Sequence, residues 1–272
     1  MRNSQVLARL RADKPVMMTN ISMGINTLGV ELAGKIGFHA IWLDMEHRSF
    51  TWREMESLIM AARLGGADAM VRIRKQEGYA TFLRPLQEGA AGMMIPHVRS
   101  AEEAARWVEY GKYGPVGRRG LENVMRDSDI SLVDTATYVE HAVKETFLAL
   151  QIEDVEAVEA VDEIAAVPGF EILFAGPGDL SNGYGVLGQM RHPKVMAAIE
   201  KVAAAAAKHG KWWGLPVTSV DEAAEFAKMG GRFFNLGSDF GWVRSGLMQT
   251  RDAFIEKFGD IATSDNAIGN TY

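Results

Sequence analysis

Short apolar runs rich in methionine, aromatic and β-branched residues alternate with longer amphipathic stretches along almost the whole chain. We count eight such runs, at 16–21, 40–43, 69–74, 92–95, 147–152, 171–175, 212–217 and 233–236. Between them, apolar residues recur at the spacing of three and four that is typical of helices packed against a sheet. This alternation predicts repeated strand–helix units and a parallel sheet.

Residues that start helices are found between these runs. Thr51 with Glu54, and Ser100 with Glu103, have the spacing of a capping box, in which a hydroxyl and a carboxylate bond the first free amides of a helix. Asp154 is placed to cap a single helix after the fifth run. These signals support the predicted boundaries between strands and helices.

Eight strand–helix units in 272 residues close most economically into one (β/α)8 TIM barrel, an α/β fold with a single domain. An open, doubly wound sheet is the alternative, because periodicity alone does not separate the two. No linker rich in Pro, Gly and Ser divides the chain. We assign residues 1–258 to the barrel and 259–272 to a polar C-terminal tail.

Composition narrows the possible partners. The chain has 29 Lys and Arg residues and 35 Asp and Glu residues, which gives a formal charge of −6. Because the basic residues are scattered along the sequence, we expect no binding to nucleic acid. Without cysteine, any metal must be bound by carboxylate, imidazole or water. We find no signal peptide and no apolar run long enough to cross a bilayer, and we expect a cytoplasmic protein without membrane association.

Active sites of TIM barrels lie at the carboxyl ends of the strands, so the polar residues at those ends are the candidates. The residues that fall there are Asn20, Asp44, Glu46, His47, Arg72, Arg74, His97, Gln151, Glu153, Asp179, Thr218 and Asp239.

Glu153 and Asp179 stand out because both are acidic and they follow neighbouring strands. Adjacent strands lie about 5 Å apart, so two such carboxylates can share one hard cation. Mg²⁺ or Mn²⁺ suits the pair, since water and substrate oxygens can complete the coordination. The alternative is that Asp179 only caps the helix that follows it.

Two further features suit an anionic ligand. The turn 176–180, G-P-G-D-L, can present backbone amides to a carboxylate, although it can equally be a plain tight turn. Arg72 lies in an apolar strand, where a guanidinium must bind an anion or form an ion pair. Arg74 shares its face if the strand continues, so one of the two can be structural.

His47 follows a strand and lies between acidic residues in the run D-M-E-H. An imidazole in such a place can act as a general base or acid near neutral pH, although many histidines are structural.

Several runs, in the same order and with family-like spacing, resemble the class II pyruvate aldolases, the metal-dependent 2-oxo-acid aldolases. The runs are L-D-M-E-H at 43–47, G-A-A-G-M-M-I-P-H-V at 89–98, Y-G-P-V-G-R-R-G at 113–120, Q-I-E at 151–153, and A-A-V-P-G-F with G-P-G-D-L-S within 165–181. The likeness extends over about residues 24–239.

The resemblance implies a barrel of the phosphoenolpyruvate/pyruvate superfamily that cleaves a 4-hydroxy-2-oxo acid, reversibly, to pyruvate and an aldehyde through a metal-bound pyruvate enolate. Glu153 and Asp179 would bind the divalent cation, Mg²⁺, Mn²⁺ or Co²⁺. Arg72 would hold the C2 oxygen of pyruvate. It also implies a homo-oligomer, a hexamer, whose last helix packs on a neighbouring subunit.

The resemblance assigns three further roles. Gln151 would lie in the pocket, the amides of Gly178 and Asp179 would bind the pyruvate carboxylate, and His47 would assist proton transfer. One position departs from the pattern: many members have an aspartate that supports the histidine where this chain has Gln87.

Other functions stay open. The same site could decarboxylate oxaloacetate, or the barrel could bind a 2-oxo acid without catalysis. A Schiff base on lysine is a further route to a pyruvate nucleophile. Among the lysines, only Lys75 lies close to the carboxyl end of a predicted strand, and strand alternation predicts that it points away from Arg72.

Overall fold

The computed structural model describes residues 1–259, which contain eight strands. The strands are Val16–Ile21 (β1), Ala40–Asp44 (β2), Asp68–Arg72 (β3), Gly92–Ile95 (β4), Phe147–Ile152 (β5), Ile172–Ala175 (β6), Trp212–Val217 (β7) and Phe233–Ser238 (β8). Each strand pairs in parallel with the next, and β8 pairs with β1. The sheet is therefore a closed barrel, which confirms the predicted fold and excludes the open sheet.

Twelve α-helices accompany the strands in the described residues. They are Gln5–Arg11 (α1), Thr27–Lys35 (α2), Trp52–Gly65 (α3), Tyr79–Gln87 (α4), Ala101–Gly111 (α5), Thr135–Glu145 (α6), Val155–Glu159 (α7), Val161–Ala166 (α8), Pro177–Gly183 (α9), Pro193–Lys208 (α10), Val220–Lys228 (α11) and Asp239–Phe258 (α12). None of these helices combines the length and hydropathy needed to cross a lipid bilayer. Apart from Gly259, the tail assigned to 259–272 lies outside the described residues and stays a prediction.

Alternation along the strands divides the core into two parts. One set of side chains, including Met18, Trp42 and Phe174, fills the barrel interior. The other set points outward against the helices and forms a larger cluster. Helix α1 adds apolar side chains such as Leu7 to the interior cluster, so it closes the amino-terminal end of the barrel. The carboxyl-terminal end is left for polar residues.

Helix starts agree with the sequence in part. Thr51 and Glu54 form the full capping box of α3. Ser100 accepts the amide of Glu103, but the Glu103 carboxylate accepts the amide of Arg99, so this box is only half formed. Asp154 precedes α7 without a side-chain cap, and the predicted single helix is divided into α7 and α8. The prediction for Asp154 was wrong, because its carboxylate is bound elsewhere, as described below.

Two rim candidates are structural rather than directed at the barrel mouth. Arg74 lies beyond the end of β3, and its guanidinium donates to the backbone carbonyls of Met45 and Phe50. Asp239 accepts hydrogen bonds from the amides of Ser22 and Met23, at 2.9 and 3.0 Å. Each side chain therefore supports a loop at the rim.

His39 links β1 to β2 at the amino-terminal end, where its Nδ1 accepts the amide of Met17 at 2.9 Å. Burial, together with the positive charge of Arg9, lowers the pKa of His39 below its usual value of 6.5. The folded protein therefore binds fewer protons here than the unfolded chain does. This contribution to stability is present at higher pH and is lost as the pH falls below about 6.5.

We predict that His39→Asn, whose side-chain oxygen can still accept the Met17 amide, reduces the loss of thermal stability between pH 8 and pH 5.5. Melting temperatures of the wild type and the variant at both pH values test this. His192→Asn is the control: it removes a half-buried imidazole that also accepts a backbone amide, that of Lys194 at 3.2 Å, and it should lose as much thermal stability as the wild type does. An equal loss in wild type and His39→Asn would contradict the prediction.

Candidate functional site

The carboxyl ends of the strands surround an open depression lined by Asn20, Trp42, Asp44, His47, Arg72 and Asn235, among others. Arg72 is the last residue of β3, and Gln151 lies one residue before the end of β5. Glu153 directly follows β5, and Asp179 lies in the first turn of α9 after β6. The predicted site residues are thus on neighbouring strands and loops of one rim.

Arg72 is held by two carboxylates. Its Nε and Nη2 donate to Asp44 Oδ1 and Oδ2 at 2.9 and 2.6 Å, a bidentate pair between directly opposed residues of β2 and β3. Its Nη1 lies 3.1 Å from Glu46 Oε2. The guanidinium also stacks over the Trp42 ring, 4.8 Å from the ring centre. The side chain is therefore buried in one orientation beside the barrel mouth.

Asp44 has a second task in the β2–α3 loop. Its Oδ1 accepts the amides of Glu46 and His47, at 2.9 and 3.3 Å. Burial alone would raise the pKa of Asp44, but the hydrogen bonds and charge of Arg72, together with these amides, outweigh it and lower the pKa. Asp44 is therefore ionised, and it aligns both Arg72 and the loop that carries His47.

Glu153 is a buried carboxylate with only 3% of its surface exposed. Its Oε2 accepts Gln151 Nε2, and its Oε1 accepts the backbone amide of His97, both at 2.9 Å. Burial raises its pKa to about 7; the His97 ring and amide oppose the rise, whereas the charge of Asp179 adds to it. Burial therefore outweighs the opposing groups, Arg72 among them, and disfavours the ionised form of the Glu153 carboxylate.

The space for Glu153 depends on a glycine. A methyl group on Gly176 would lie 2.5 Å from Glu153 Cβ and 2.7 Å from Oε2. Gly178, two residues later, has only Met190 Cε at 4.0 Å from the same position. The G-P-G-D-L turn is therefore a close packing surface for Glu153 at its first glycine and open at its second.

The donor set suits a hard cation. Asp179 is exposed at the rim, and no described residue donates a hydrogen bond to its carboxylate. In residues 1–259 no three His, Asp or Glu side chains are arranged around a common metal position. A pair of carboxylates with open positions is nevertheless what Mg²⁺ or Mn²⁺ uses when water and substrate supply the other ligands. A bound cation would also favour the ionised form of Glu153, which burial disfavours.

His47 is at the mouth but is mostly exposed. Its Nε2 lies 3.7 Å from Glu46 Oε2. Gln87, the position that departs from the family pattern, ends α4 at the opposite end of the barrel, because α4 runs antiparallel to the strands. Within one chain, residue 87 therefore does not contact His47.

Three buried polar atoms in the interior have no partner among the described residues: Trp42 Nε1, Gln151 Oε1 and Asn235 Oδ1. Unsatisfied buried donors and acceptors are costly, so such atoms commonly bind water or a polar ligand. The floor of the mouth can therefore receive an oxygen-rich molecule.

Sequence reasoning did not give roles to three residues that the structure places here. Glu46 pairs with Arg72, and His97 contacts Glu153 through its amide. Lys75 begins a short 3-10 turn, since β3 ends at Arg72, so the alternation argument does not apply to it. Its Nζ instead donates to His97 O at 2.5 Å and pairs with Glu103. Only the loop conformation reveals these contacts.

Comparisons with known proteins agree with the architecture and the motifs. The sequence pattern described as HpcH/HpaI aldolase/citrate lyase matches residues 22–245. A 5-keto-4-deoxy-D-glucarate aldolase of Klebsiella pneumoniae is 32% identical over 229 residues, 84% of this chain and 88% of that protein. A hydroxypyruvate/pyruvate aldolase of Paraburkholderia phytofirmans is 32% identical over 256 residues, 92% of this chain and 95% of its own.

A solved structure is also similar. The crystal structure of an HpcH/HpaI aldolase from Desulfitobacterium hafniense superposes with a TM-score of 0.87 at 33% identity, covering 92% of this chain and 96% of that one.

The two glycines of the turn allow a matched test of the packing around Glu153. We predict that Gly176→Ala destabilises the protein by about 1–3 kcal/mol, because the added methyl overlaps Glu153. Gly178→Ala should change stability by less than about 0.5 kcal/mol, because its methyl enters open space. Denaturant unfolding of both variants tests this. Equal stability of the two variants would contradict the close packing described here.

Proposed function

The chain belongs to the HpcH/HpaI aldolase/citrate lyase family and is an aldolase, a carbon–carbon lyase, and from this premise we propose its substrate class and site. We propose that it cleaves a 4-hydroxy-2-oxo acid to pyruvate and an aldehyde, and that Glu153 and Asp179 bind the divalent cation this reaction uses. The observation that carries the proposal is the position of a buried guanidinium, Arg72, and a buried carboxylate, Glu153, at one barrel mouth.

Arg72 is suited to hold the C2 oxygen of pyruvate. Three of its five N–H donors face Asp44 and Glu46, which leaves about two for a ligand. Because Asp44 holds the guanidinium in place, the Arg72 side chain need not move when negative charge develops on the substrate oxygen. When bound at Glu153 and Asp179, Mg²⁺, Mn²⁺ or Co²⁺ supplies a Lewis acid that stabilises the same charge.

The remaining roles follow the layout of the rim. The amides of Gly178 and Asp179 start α9 and bind the carboxylate of pyruvate. Gln151 donates through Nε2 to Glu153, and its Oε1, which has no partner among the described residues, can accept a hydrogen bond from a ligand or water. His47 is placed at the open mouth, where it can exchange a proton with C3 of pyruvate or with the hydroxyl of the longer acid.

Neither alternative function is favoured by the relatives. Both curated relatives reported above are named aldolases, not decarboxylases. A binding protein without catalysis would also have little use for two rim carboxylates beside a fixed arginine. The activity test below therefore also measures the decarboxylation of oxaloacetate.

We predict that the enzyme exchanges the C3 protons of pyruvate in D₂O, that a chelator abolishes the exchange, and that Mg²⁺ or Mn²⁺ restores it. Proton NMR of pyruvate measures this without knowledge of the aldehyde. Glu153→Gln and Asp179→Asn should lower the rate by at least about 100-fold, because each removes a charge that holds the cation. Glu163→Gln, on an exposed face of α8, is the control and should exchange as the wild type does.

The same assay tests the base. His47→Ala should slow exchange by about 100-fold if the imidazole transfers the proton. Full exchange after exhaustive chelation would contradict the metal-dependent function, and oxaloacetate decarboxylation without exchange would favour the alternative enzyme. Retro-aldol cleavage of 5-keto-4-deoxy-D-glucarate, compared with shorter 4-hydroxy-2-oxo acids, identifies the aldehyde half.

We also propose that the protein is a homo-oligomer, a hexamer, that buries α12 against a second copy. Among the described residues of this 20-residue helix only Asp239 is buried. Phe240, Val243, Leu247 and Phe254 are exposed and are spaced to share one side of the helix. Such an apolar stripe is costly in water and typically marks an interface.

We predict that Leu247→Glu lowers the oligomeric state, because it places a charge in the centre of this stripe. Sedimentation velocity of the full chain measures the state. Gln249→Glu adds the same charge two residues away, on the opposite side of the helix, and should leave the assembly intact. An assembly that survives Leu247→Glu would show that α12 is not the contact.

A further inference from the structure

A ring of polar contacts surrounds His97 at the carboxyl end of β4. Its carbonyl accepts Lys75 Nζ at 2.5 Å, and its Nδ1 lies 3.1 Å from Asp154 Oδ2. Lys75 also pairs with Glu103, whose carboxylate accepts the amide of Arg99 at 3.0 Å. Arg99 Nη2 in turn lies 3.0 Å from Asp154 Oδ1, which closes the ring. We call these residues, Lys75, His97, Arg99, Glu103 and Asp154, the His97 clamp.

The backbone inside the clamp has an unusual conformation. His97 has a φ of 50°, in the left-handed region that few residues other than glycine adopt. The conformation costs about 1 kcal/mol, so surrounding contacts must maintain it. Directly after it, the amide of Val98 donates to the carbonyl of Gln151, so the chain rejoins β5. The backbone therefore bends at His97, just after β4, and returns to β5 at Val98.

The kink turns the His97 amide toward Glu153. The N–H donates to Glu153 Oε1 at 2.9 Å, and it is the only backbone amide of the described residues that bonds this side chain. With Gln151 on Oε2, each carboxylate oxygen has one hydrogen bond and keeps a lone pair for another ligand. The carboxylate therefore has a defined rotation before any cation arrives.

We propose that the His97 clamp is a positioning device: it holds His97 in the left-handed conformation so that the backbone amide, rather than the imidazole, aims Glu153 at the cation. This inference rests on the proposed role of Glu153 as a metal ligand. Partners that orient a ligand from outside the coordination sphere typically contribute 10- to 100-fold to metal affinity. Lys75 thus acts as a cation that fixes the His97 carbonyl and has no covalent role.

The choice of substitution at residue 97 separates the amide from the ring. Asparagine tolerates the left-handed region and can contact Asp154, whereas a β-branched residue is strongly disfavoured there. We expect His97→Asn to bind Mn²⁺ within about 3-fold of the wild type and His97→Val to bind about 10- to 100-fold more weakly. Both variants lack the imidazole, so a role for the ring itself would weaken both equally.

The experiment is a titration of the metal-free, full-length protein with Mn²⁺. The electron paramagnetic resonance signal of the free ion measures binding, and this readout does not depend on turnover. Lys75→Met tests the clamp without changing residue 97 and should weaken binding about 10-fold. Lys35→Met is the matched control, because it removes a lysine that pairs with a glutamate, Glu31, on the surface of α2. Its affinity should equal that of the wild type. Circular dichroism confirms that each variant is folded.

Glu153→Gln distinguishes the two levels of the proposal. If Glu153→Gln loses Mn²⁺ binding while Lys75→Met and His97→Val keep it, the metal site stands and the clamp is overturned. If His97→Asn binds as weakly as His97→Val, the ring matters and the clamp is again overturned. If Glu153→Gln binds Mn²⁺ as the wild type does, the proposed metal ligand itself is wrong.

Discussion

The charge of Arg72 is the constraint on which the rim of this barrel depends. A guanidinium that is only 7% exposed must be compensated, and Asp44, its register partner on β2, binds it at two points. Removing one partner of such a buried pair typically costs 3–5 kcal/mol, because the other charge is left alone. Since Asp44 also accepts the amides of Glu46 and His47, the same carboxylate orients the loop beside the pair. The contacts that compensate the Arg72 guanidinium therefore also orient the neighbouring β2–α3 loop at the mouth.

The charge environment differs at the end of β5, two strands away from Arg72 on the same rim. Burial, with the negative charge of Asp179, raises the pKa of Glu153 to about 7 against the opposing effects of His97 and Arg72. The mouth thus contains a guanidinium paired with two carboxylates and a buried carboxylate whose ionised form is disfavoured. This arrangement suits a substrate oxyanion at Arg72 and a divalent cation at Glu153. Both residues lie on one rim, because all eight strands end on the same face of the barrel.

The family and the alternation of strands and helices could be read from the chain. Each predicted strand lies within two residues of an observed one, because apolar runs of this length are buried on both faces of a parallel sheet. The position of Arg72, Gln151, Glu153 and Asp179 at the rim was predicted for a related reason. They are polar residues at the ends of apolar runs, and in a parallel barrel those ends form one rim. The single helix predicted after β5 was wrong, since a pattern of small and acidic residues does not show the break at Ala160.

The order of strands and helices, the polar residues at the strand ends and their chemical types could be read from the amino-acid sequence, whereas the choice between a closed barrel and an open sheet required the strand pairing. The contacts between polar groups also became visible only in the folded chain. The pair of Asp44 with Arg72 depends on strand register, the space for Glu153 depends on the missing side chain of Gly176, and the link from Lys75 to His97 depends on two loops. The left-handed conformation of His97 has no signature in the chain, because it is maintained by contacts with residues about 20 and 60 positions away. The local sequence pattern reflects the burial of each residue. Contacts between residues on different strands and loops depend on how the whole chain folds, so the pattern does not show them.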